Sequence, residues 1–341
     1  MAATDPTSKI SLLHFSDFAD TTERIHAQGM SLLEDQADVM SLYMVENVPN
    51  GTGNSRIYDE YDGETYASFK GEGVNARKKR AVKGYSKTMT VRRFAAEIDI
   101  TFEARTFGKD QEIIRRLTSL ATFVPQRMVL DLTHRFTFFL ATSYTDMDGE
   151  SVDVSMGDTL AGGSAVHTLT ASASTYSTII TGNPQFSQGG FEIAKDLTNT
   201  QVLSNFGERR ILKFNTVATG NDTATIREVR KLQNSMADVT GDNSGVTNVY
   251  KGAFRHVILE RLATTATGAY DSTKAKYWFY LAAGELEAHL GIWEAANLKT
   301  PSTGNNGEDI HNDDWTFATR GSYGICWASA KGAFISSGLG A

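Results

Sequence analysis

Seven histidines stand at 14, 26, 134, 167, 256, 289 and 311, too scattered to form a spaced metal-ligand motif. The one crowded place is His311-Asn312-Asp313-Asp314. Adjacent residues seldom reach a single ion with good geometry, so this stretch reads as a polar loop. The sole cysteine, Cys326, alternates with Ile325 and Trp327, which suits a buried structural thiol better than a nucleophile. Gly71-x-Gly73 sits among turn residues and not between a strand and a helix, so it is no dinucleotide fingerprint. HExxH, GxxxxGK[ST], GxSxG and CxxC are all missing from the sequence. Asn221-Asp222-Thr223 matches a glycosylation pattern, but the first residues lack the basic-then-apolar order of a secretion signal. The expectation is therefore a protein with no catalytic, cofactor-binding or metal residues.

Charge is the remaining chemistry, and it is unevenly placed. Residues 1–50 carry eight acids against two bases, a net of −6. Glu34, Asp35 and Asp38 are the densest of these acids. Between Gly73 and Ala96 stand eight cations, Arg77, Lys78, Lys79, Arg80, Lys83, Lys87, Arg92 and Arg93, and no acid. Three readings stay open for the basic interval: a solvated face, a nucleic-acid patch, or a surface for a partner's acidic segment. Tyr85 is the only aromatic between Val74 and Arg93, so base-stacking platforms are scarce there.

These charges need elements to hold them. Residues 51–107 read as a long hairpin. Its incoming limb, Arg56 to Phe69, carries Tyr58, Tyr61 and Tyr66 with Asp59, Glu60, Asp62 and Glu64. The tip holds Gly71, Gly73 and Gly84, and the outgoing limb runs from Lys87 to Phe107. Ile98, Ile100 and Phe102 alternate there with Glu97, Asp99, Thr101 and Glu103. The acidic residues before it, 20–46, pattern as a helix with a loose apolar face, an arm suited to packing on something else.

From Gly108 to Thr142, apolar residues recur at Ile113, Leu117, Leu120, Val124, Met128, Leu132, Phe136 and Phe139. Steps of four and three keep them on one side of a helix. Pro125 interrupts the run, which reads either as two core helices meeting at the proline or as one long, kinked backbone helix. No lysine or arginine occurs from Phe136 to Ala194, and Val166 to Ile180 is expected to supply short strands. Further on, the patterning predicts a helix over 191–205, a strand over 209–219 and a helix capped by Asp222 or Thr223. The apolar face of that helix is Ile226, Val229, Leu232 and Met236. Strands are expected over 247–260 and 276–283, and a short helix over 285–297 with Leu286, Leu290 and Trp293 inward. A closing strand or strand pair follows over 323–336.

The chain has 341 residues, 40% hydrophobic and 21% charged, so it is long enough for two or three packed units and is not disordered throughout. A single cysteine excludes an internal disulfide framework. A net charge of −7 gives no general attraction to nucleic acid. No apolar run approaches the length needed to span a bilayer.

In its order of elements the chain resembles the major capsid proteins of tailed bacteriophages, the Hong Kong 97 phage fold. The resemblance is carried best by Phe94 to Phe139, by Gly190 to Met236 and by Trp315 to Ser336. It implies an α+β fold with an N-terminal arm over 1–50, a long β-hairpin called the E-loop over 51–107 and a P-domain with its spine helix over 108–188. An α/β A-domain over 189–310 and a closing P-domain strand over 311–341 complete it. The implied function is self-assembly into hexamers and pentamers of an icosahedral shell around double-stranded DNA, not catalysis. The implied partners are further copies of the chain, a separate scaffolding protein, a portal, decoration proteins and packaged DNA, with no membrane. The implied location is the virion, assembled in the bacterial cytoplasm. The alternatives are another phage structural component, such as a tail-tube or decoration protein, and a soluble α/β enzyme.

Overall fold

A computed structural model describes residues 38–49, 53–101, 103–104, 107, 110–237, 247–299 and 315–340, together with Arg24. Glu34, Asp35, Phe102 and the 311–314 stretch lie outside the described residues. The fold is α+β.

Helix α1, Asp110–Thr137, runs for 28 residues straight through Pro125. Of the two readings of the proline, the single long helix is the one observed. Pro125 is itself buried, and tertiary contacts grip the helix on both sides of it. Such contacts outweigh the loss of one hydrogen bond, because most helical stability in proteins comes from packing. Ile113, Leu117, Leu120, Val124, Leu132, Phe136 and Phe139 are all buried. Met128 is half-buried and packs against the same core.

Two four-stranded sheets share this helix. The first has the order β1 (Met44–Asn47), β12 (Ala288–Lys299), β13 (Trp315–Trp327) and β4 (Arg92–Ile100). Only β1 and β12 run parallel in it; the other pairs are antiparallel. The first half of α1 packs Ile113, Leu117 and Leu120 against Ile100 and Phe317 of this sheet. The second sheet has the order β10 (Arg255–Ile258), β9 (Thr216–Thr219), β11 (Trp278–Leu281) and β14 (Ala333–Ser336). One of its faces, with Ala218, Val257, Phe279, Leu281 and Ile335, joins Phe136 and Phe139 in a shared core. Its other face, with Val217, Trp278, Tyr280 and Phe334, is covered by helices α2 (Gln188–Thr200) and α3 (Thr223–Asn234). Burial on both faces explains why 278–281 is a continuous apolar run and does not alternate.

Local signals set the helix starts. Ser187 Oγ accepts from the Gly190 N–H at 3.1 Å and caps α2. Asp222 accepts from Thr225 N–H at 2.9 Å and caps α3. Both interactions satisfy amides that have no partner inside the helix. Val229 and Leu232 of α3 are buried, whereas Met236 lies beyond its end and is exposed.

Several expected boundaries move. The 285–297 segment is a strand, not a helix: β12 is hydrogen-bonded on both sides, to β1 and β13. Leu286, Leu290 and Trp293 have helical spacing, but the burial of Leu286, Ala288 and Leu290 follows a period of two. Register shifts between Ile292 and Asn297 leave Trp293 half exposed. The outgoing hairpin limb is Ala81–Thr90, and the alternating stretch after it is β4, in a different sheet. The 191–205 helix starts and ends earlier, at 188 and 200. Strands over 209–219, 247–260 and 276–283 shrink to four residues each. The closing segment divides, β13 entering the first sheet and β14 the second. The low-charge region supplies two small ladders, β5 (Ser143–Thr145) with β6 (Ser151–Asp153) and β7 (His167–Thr168) with β8 (Thr175–Tyr176).

Candidate assembly surface

The hairpin is built from β2 (Ser55–Gly63) and β3 (Ala81–Thr90), paired from Ser55↔Thr90 to Gly63↔Ala81. Its strands are fastened to the body of the same chain. Tyr85 Oη meets Thr168 Oγ1 at 2.6 Å, and Lys87 Nζ reaches Asp153 and Ser155 at 2.5 and 2.8 Å. The Thr65 N–H donates to Glu208 at 2.7 Å. Beneath the strands, Lys331 pairs with Glu60, both buried, and lies 3.5 Å from the half-buried Asp62. Ladder pairing ends at Gly63, and the last backbone bond across the hairpin is Glu64 N–H to Arg80 O at 3.1 Å.

Beyond that bond the tip, 65–79, has no regular structure and is almost wholly exposed. Tyr66, Phe69 and Val74 project from it, with Phe69 98% exposed. Gly73, at φ +75°, makes the turn that reverses the chain; a side chain is rarely tolerated in that region. Three large apolar groups on one unsupported tip are far from a chance scatter of single surface residues.

The eight cations of the 73–96 interval do not form one patch. Lys79 and Arg80 pair with Glu64 at 3.2 and 3.5 Å, and Lys83 pairs with Asp59 at 2.9 Å. Lys87 is held by Asp153, and Arg93 lies 3.6 Å from Glu294. Hydrogen bonding from Lys83 and Lys79 holds Asp59 and Glu64 below the usual carboxylate range. The acidic and basic limbs therefore neutralise each other across the hairpin. Among the described residues, Arg77, Lys78 and Arg92 form no ion pair. In the acidic arm, Asp38 lies 3.5 Å from Arg255 of the second sheet.

A feature with no sequence motif lies under the hairpin. Arg127 on α1 contacts Asp131 through Nε at 3.0 Å, Asp146 at 2.9 Å and Asp148 at 2.9 Å. The Tyr323 hydroxyl donates to Asp131 at 2.7 Å, and Arg135 donates to the carbonyls of Asp153 and Ile325. Arg127, Asp131, Arg135, Asp146 and Tyr323 border an open cleft of about 220 Å³. Burial pushes the Asp131 carboxyl up despite Arg127 beside it. The only local hint in the sequence is the i,i+4 spacing of Arg127 and Asp131; the other partners come from distant segments.

One arrangement has the order of a hydrolytic relay. Asp158 contacts His167 Nδ1 at 2.7 Å, and His167 Nε2 faces Thr178 Oγ1 at 3.3 Å. The Thr178 hydroxyl is already committed, donating to the Gly162 carbonyl at 2.6 Å, and the His167 and Asp158 side chains are 0% and 4% exposed. The group ties together the irregular 155–180 segment. Among the described residues no set of three or more His, Cys, Asp and Glu side chains is placed to hold a metal ion. Cys326 is buried, as expected, and burial pushes its thiol up to about 11, out of the nucleophilic range.

Two further histidines give a pH prediction. Burial, with Lys274 and Arg127 nearby, pulls His134 down to about 4; burial, with Arg230 nearby, does the same for His256. Their pKa values lie below that of an unfolded histidine, so acid favours the unfolded chain. Stability is lost as pH falls through about 6.5 and continues to be lost down to about 4, on the order of 1–2 kcal/mol per imidazole at pH 5. The expected result is a lower melting temperature at pH 5 than at pH 7, with a smaller drop in His134→Gln. An equal drop in wild type and variant would contradict a neutral, buried His134.

No protein-family model and no curated protein matches the chain. Among solved structures it is similar to the capsid of an empty GTA particle, at 12% identity over 89% of this chain and 90% of the other, with a TM-score of 0.48. It is similar to the capsid of cyanophage P-SCSP1u at 11% identity, over 86% and 85% of the two chains, with a TM-score of 0.47. A third similarity is to Mycobacterium phage Patience, at 11% identity over 97% and 89%, with a TM-score of 0.46.

Proposed function

We propose that this chain is a major capsid protein that self-assembles into hexamers and pentamers of an icosahedral head enclosing double-stranded DNA. The observation that carries the reading is the hairpin tip: a long excursion, anchored at its strands, that presents Tyr66, Phe69 and Val74 exposed, with nothing among the described residues of its own subunit covering them. Such a tip is suited to lie on a neighbour. A subunit of this kind makes a modest contact with each of many neighbours, and closed symmetry adds them up. The arm, with Glu34, Asp35 and Asp38, and the cations Arg77, Lys78 and Arg92, which form no ion pair among the described residues, supply complementary charge for those contacts. Salt weakens such contacts, since the Debye length is about 10 Å at 0.1 M. In this reading 55–90 is the E-loop, α1 is the spine, and the second sheet with α2 and α3 is the axial unit. The protein works in the virion after assembly in the host cytoplasm, has no catalytic role, and meets a scaffolding protein, a portal, decoration proteins and the packaged DNA.

Limited trypsin digestion tests the tip. Arg77, Lys78, Lys79 and Arg80 are consecutive cleavage sites on an exposed segment. Free subunits are expected to be cut there at least tenfold faster than assembled particles, since exposed loop tips are preferred sites of nicking. Equal rates in the two states would contradict a contact between subunits at the tip.

A further inference from the structure

We propose that β4 is a joining edge: two copies of this chain meet there about a two-fold axis, each laying its β4 antiparallel against the other's, with Ala96 facing its own copy. The two main sheets end in four edge strands, and three of them, β1, β10 and β14, are four residues long. β4 runs for nine, Arg92–Ile100. Its inner side pairs with β13 without a register shift, from Trp315↔Ile100 to Tyr323↔Arg92. Its outer side has no backbone partner among the described residues. Long edges are usually blunted by a proline, a lysine, a bulge or a cover. β4 contains no proline, no lysine and no bulge. A row of unpaired amides and carbonyls on a regular strand is a template for another strand.

The strand's own sequence selects the occupant. Its side chains alternate: Arg93, Ala95, Glu97 and Asp99 are exposed, while Phe94, Ala96 and Ile98 are half-buried and Ile100 is buried. Two identical strands related by a two-fold axis must pair antiparallel about a residue that faces itself. The middle residue of β4 is Ala96. About that centre Arg93 stands opposite the partner's Asp99, and Phe94 stands opposite the partner's Ile98. The axis makes each pair twice. Opposite charges and aromatic with β-branched side chains are favourable cross-strand combinations. Asp99 accepts from the Thr316 hydroxyl at 2.7 Å and forms no ion pair among the described residues. Arg93 is held loosely, 3.6 Å from Glu294, with its side chain 58% exposed.

Neighbouring registers fit worse. A centre on Glu97 sets that carboxylate against its own copy, and a centre on Ile98 sets Glu97 against Asp99; like charges directly opposite are destabilising. A centre on Ala95 sets Asp99 opposite Val91, whose N–H is already bound to the Asn54 carbonyl at 2.7 Å. The Ala96 centre pairs β4 along its whole length. It also continues the core. Ala96 and Ile98 pack against the cluster of Ile100, Leu117, Leu120 and Phe317, and Phe94 stacks on Tyr323 at 4.4 Å. Pairing carries that apolar layer from one subunit into the next and merges the two first sheets into one. The contact uses a different surface from the hairpin tip and does not rest on the shell reading.

Cysteine trapping in the full chain tests it. Residues directly opposite in an antiparallel pair have Cα atoms about 4.5–5.5 Å apart, within reach of a disulfide. Ala96→Cys, checked for native near-ultraviolet circular dichroism, is expected to form a disulfide-linked dimer on mild oxidation at least tenfold faster than Ala95→Cys. Ala95 is the more exposed of the two, so random collision gives the opposite order. Wild type, whose Cys326 is buried, is the blank. Charge exchange is the second test, in chains that keep Ala96. Arg93→Asp is expected to weaken dimers of free subunits at least tenfold by sedimentation. Adding Asp99→Arg to that chain is expected to restore them, because the axis rebuilds both pairs. Ala95→Cys linking as fast as Ala96→Cys, or a charge exchange without recovery, would overturn the contact. Trapped dimers that never build shells contradict the shell reading alone. Shells in which Ala96→Cys stays unlinked contradict this contact alone.

Discussion

Phe136→Asp is expected to leave the chain insoluble or unfolded. Phe136 has no exposed surface and meets Trp327 at 5.1 Å, Phe279 at 5.2 Å and Tyr43 at 6.1 Å, all edge to face. Those three rings come from the first sheet, the second sheet and the segment leading into β1, so Phe136 sits where the whole subunit converges. Truncating such a ring to alanine costs about 3–5 kcal/mol. A carboxylate there adds a buried, unpaired charge. Against a total stability of about 5–15 kcal/mol, little would remain. Phe136→Leu keeps an apolar group at the junction and is expected to stay soluble with a lowered urea midpoint. A soluble Phe136→Asp protein with the wild-type midpoint would show that the shared core is wrongly described.

Arg127→Met is the second large effect. Arg127 is 13% exposed and serves Asp131, 14% exposed, and Asp146, 5% exposed. Removing one partner of a buried ionic group costs about 3–5 kcal/mol, because the carboxylates stay behind without a cation. The deficit has a pH signature. The stranded carboxyls regain neutrality by binding protons, so the gap between variant and wild type should narrow as pH falls from 7 to 5. Adding Asp131→Asn should restore part of the loss, and the double-mutant cycle measures that coupling. Urea unfolding at both pH values gives all four numbers. A gap that is small at pH 7, or that widens on acidification, would contradict a buried clamp.

What the sequence disclosed and what it hid follow from the range of the forces involved. The stripe on α1 was legible because Ile113, Leu117, Leu120, Val124, Leu132 and Phe136 obey helical spacing and are all buried, as is Phe139 in the turn that follows. Asp222 as a cap was equally local. The 285–297 segment misled because Leu286, Leu290 and Trp293 fit helical spacing, while its partners in β1 and β13 are remote in sequence. A central strand takes its conformation from those partners more than from propensity. The pairing inside the basic interval was hidden for a related reason: the register Tyr61↔Lys83 and Asp59↔Ser86 sets Lys83 beside Asp59 on its own hairpin, and that register is not written in either limb alone. The Arg127 clamp and the Lys331–Glu60 pair join segments up to 271 residues apart, and beyond the i,i+4 spacing of Arg127 and Asp131 nothing local announces them.

The most direct measurement is electron microscopy of the purified chain, alone and together with its co-encoded partner proteins. The proposed function predicts closed icosahedral shells, or free hexamers and pentamers, with residues 65–79 of each subunit lying against a neighbour. A compact monomer or dimer under all conditions, or long open tubes, would contradict it.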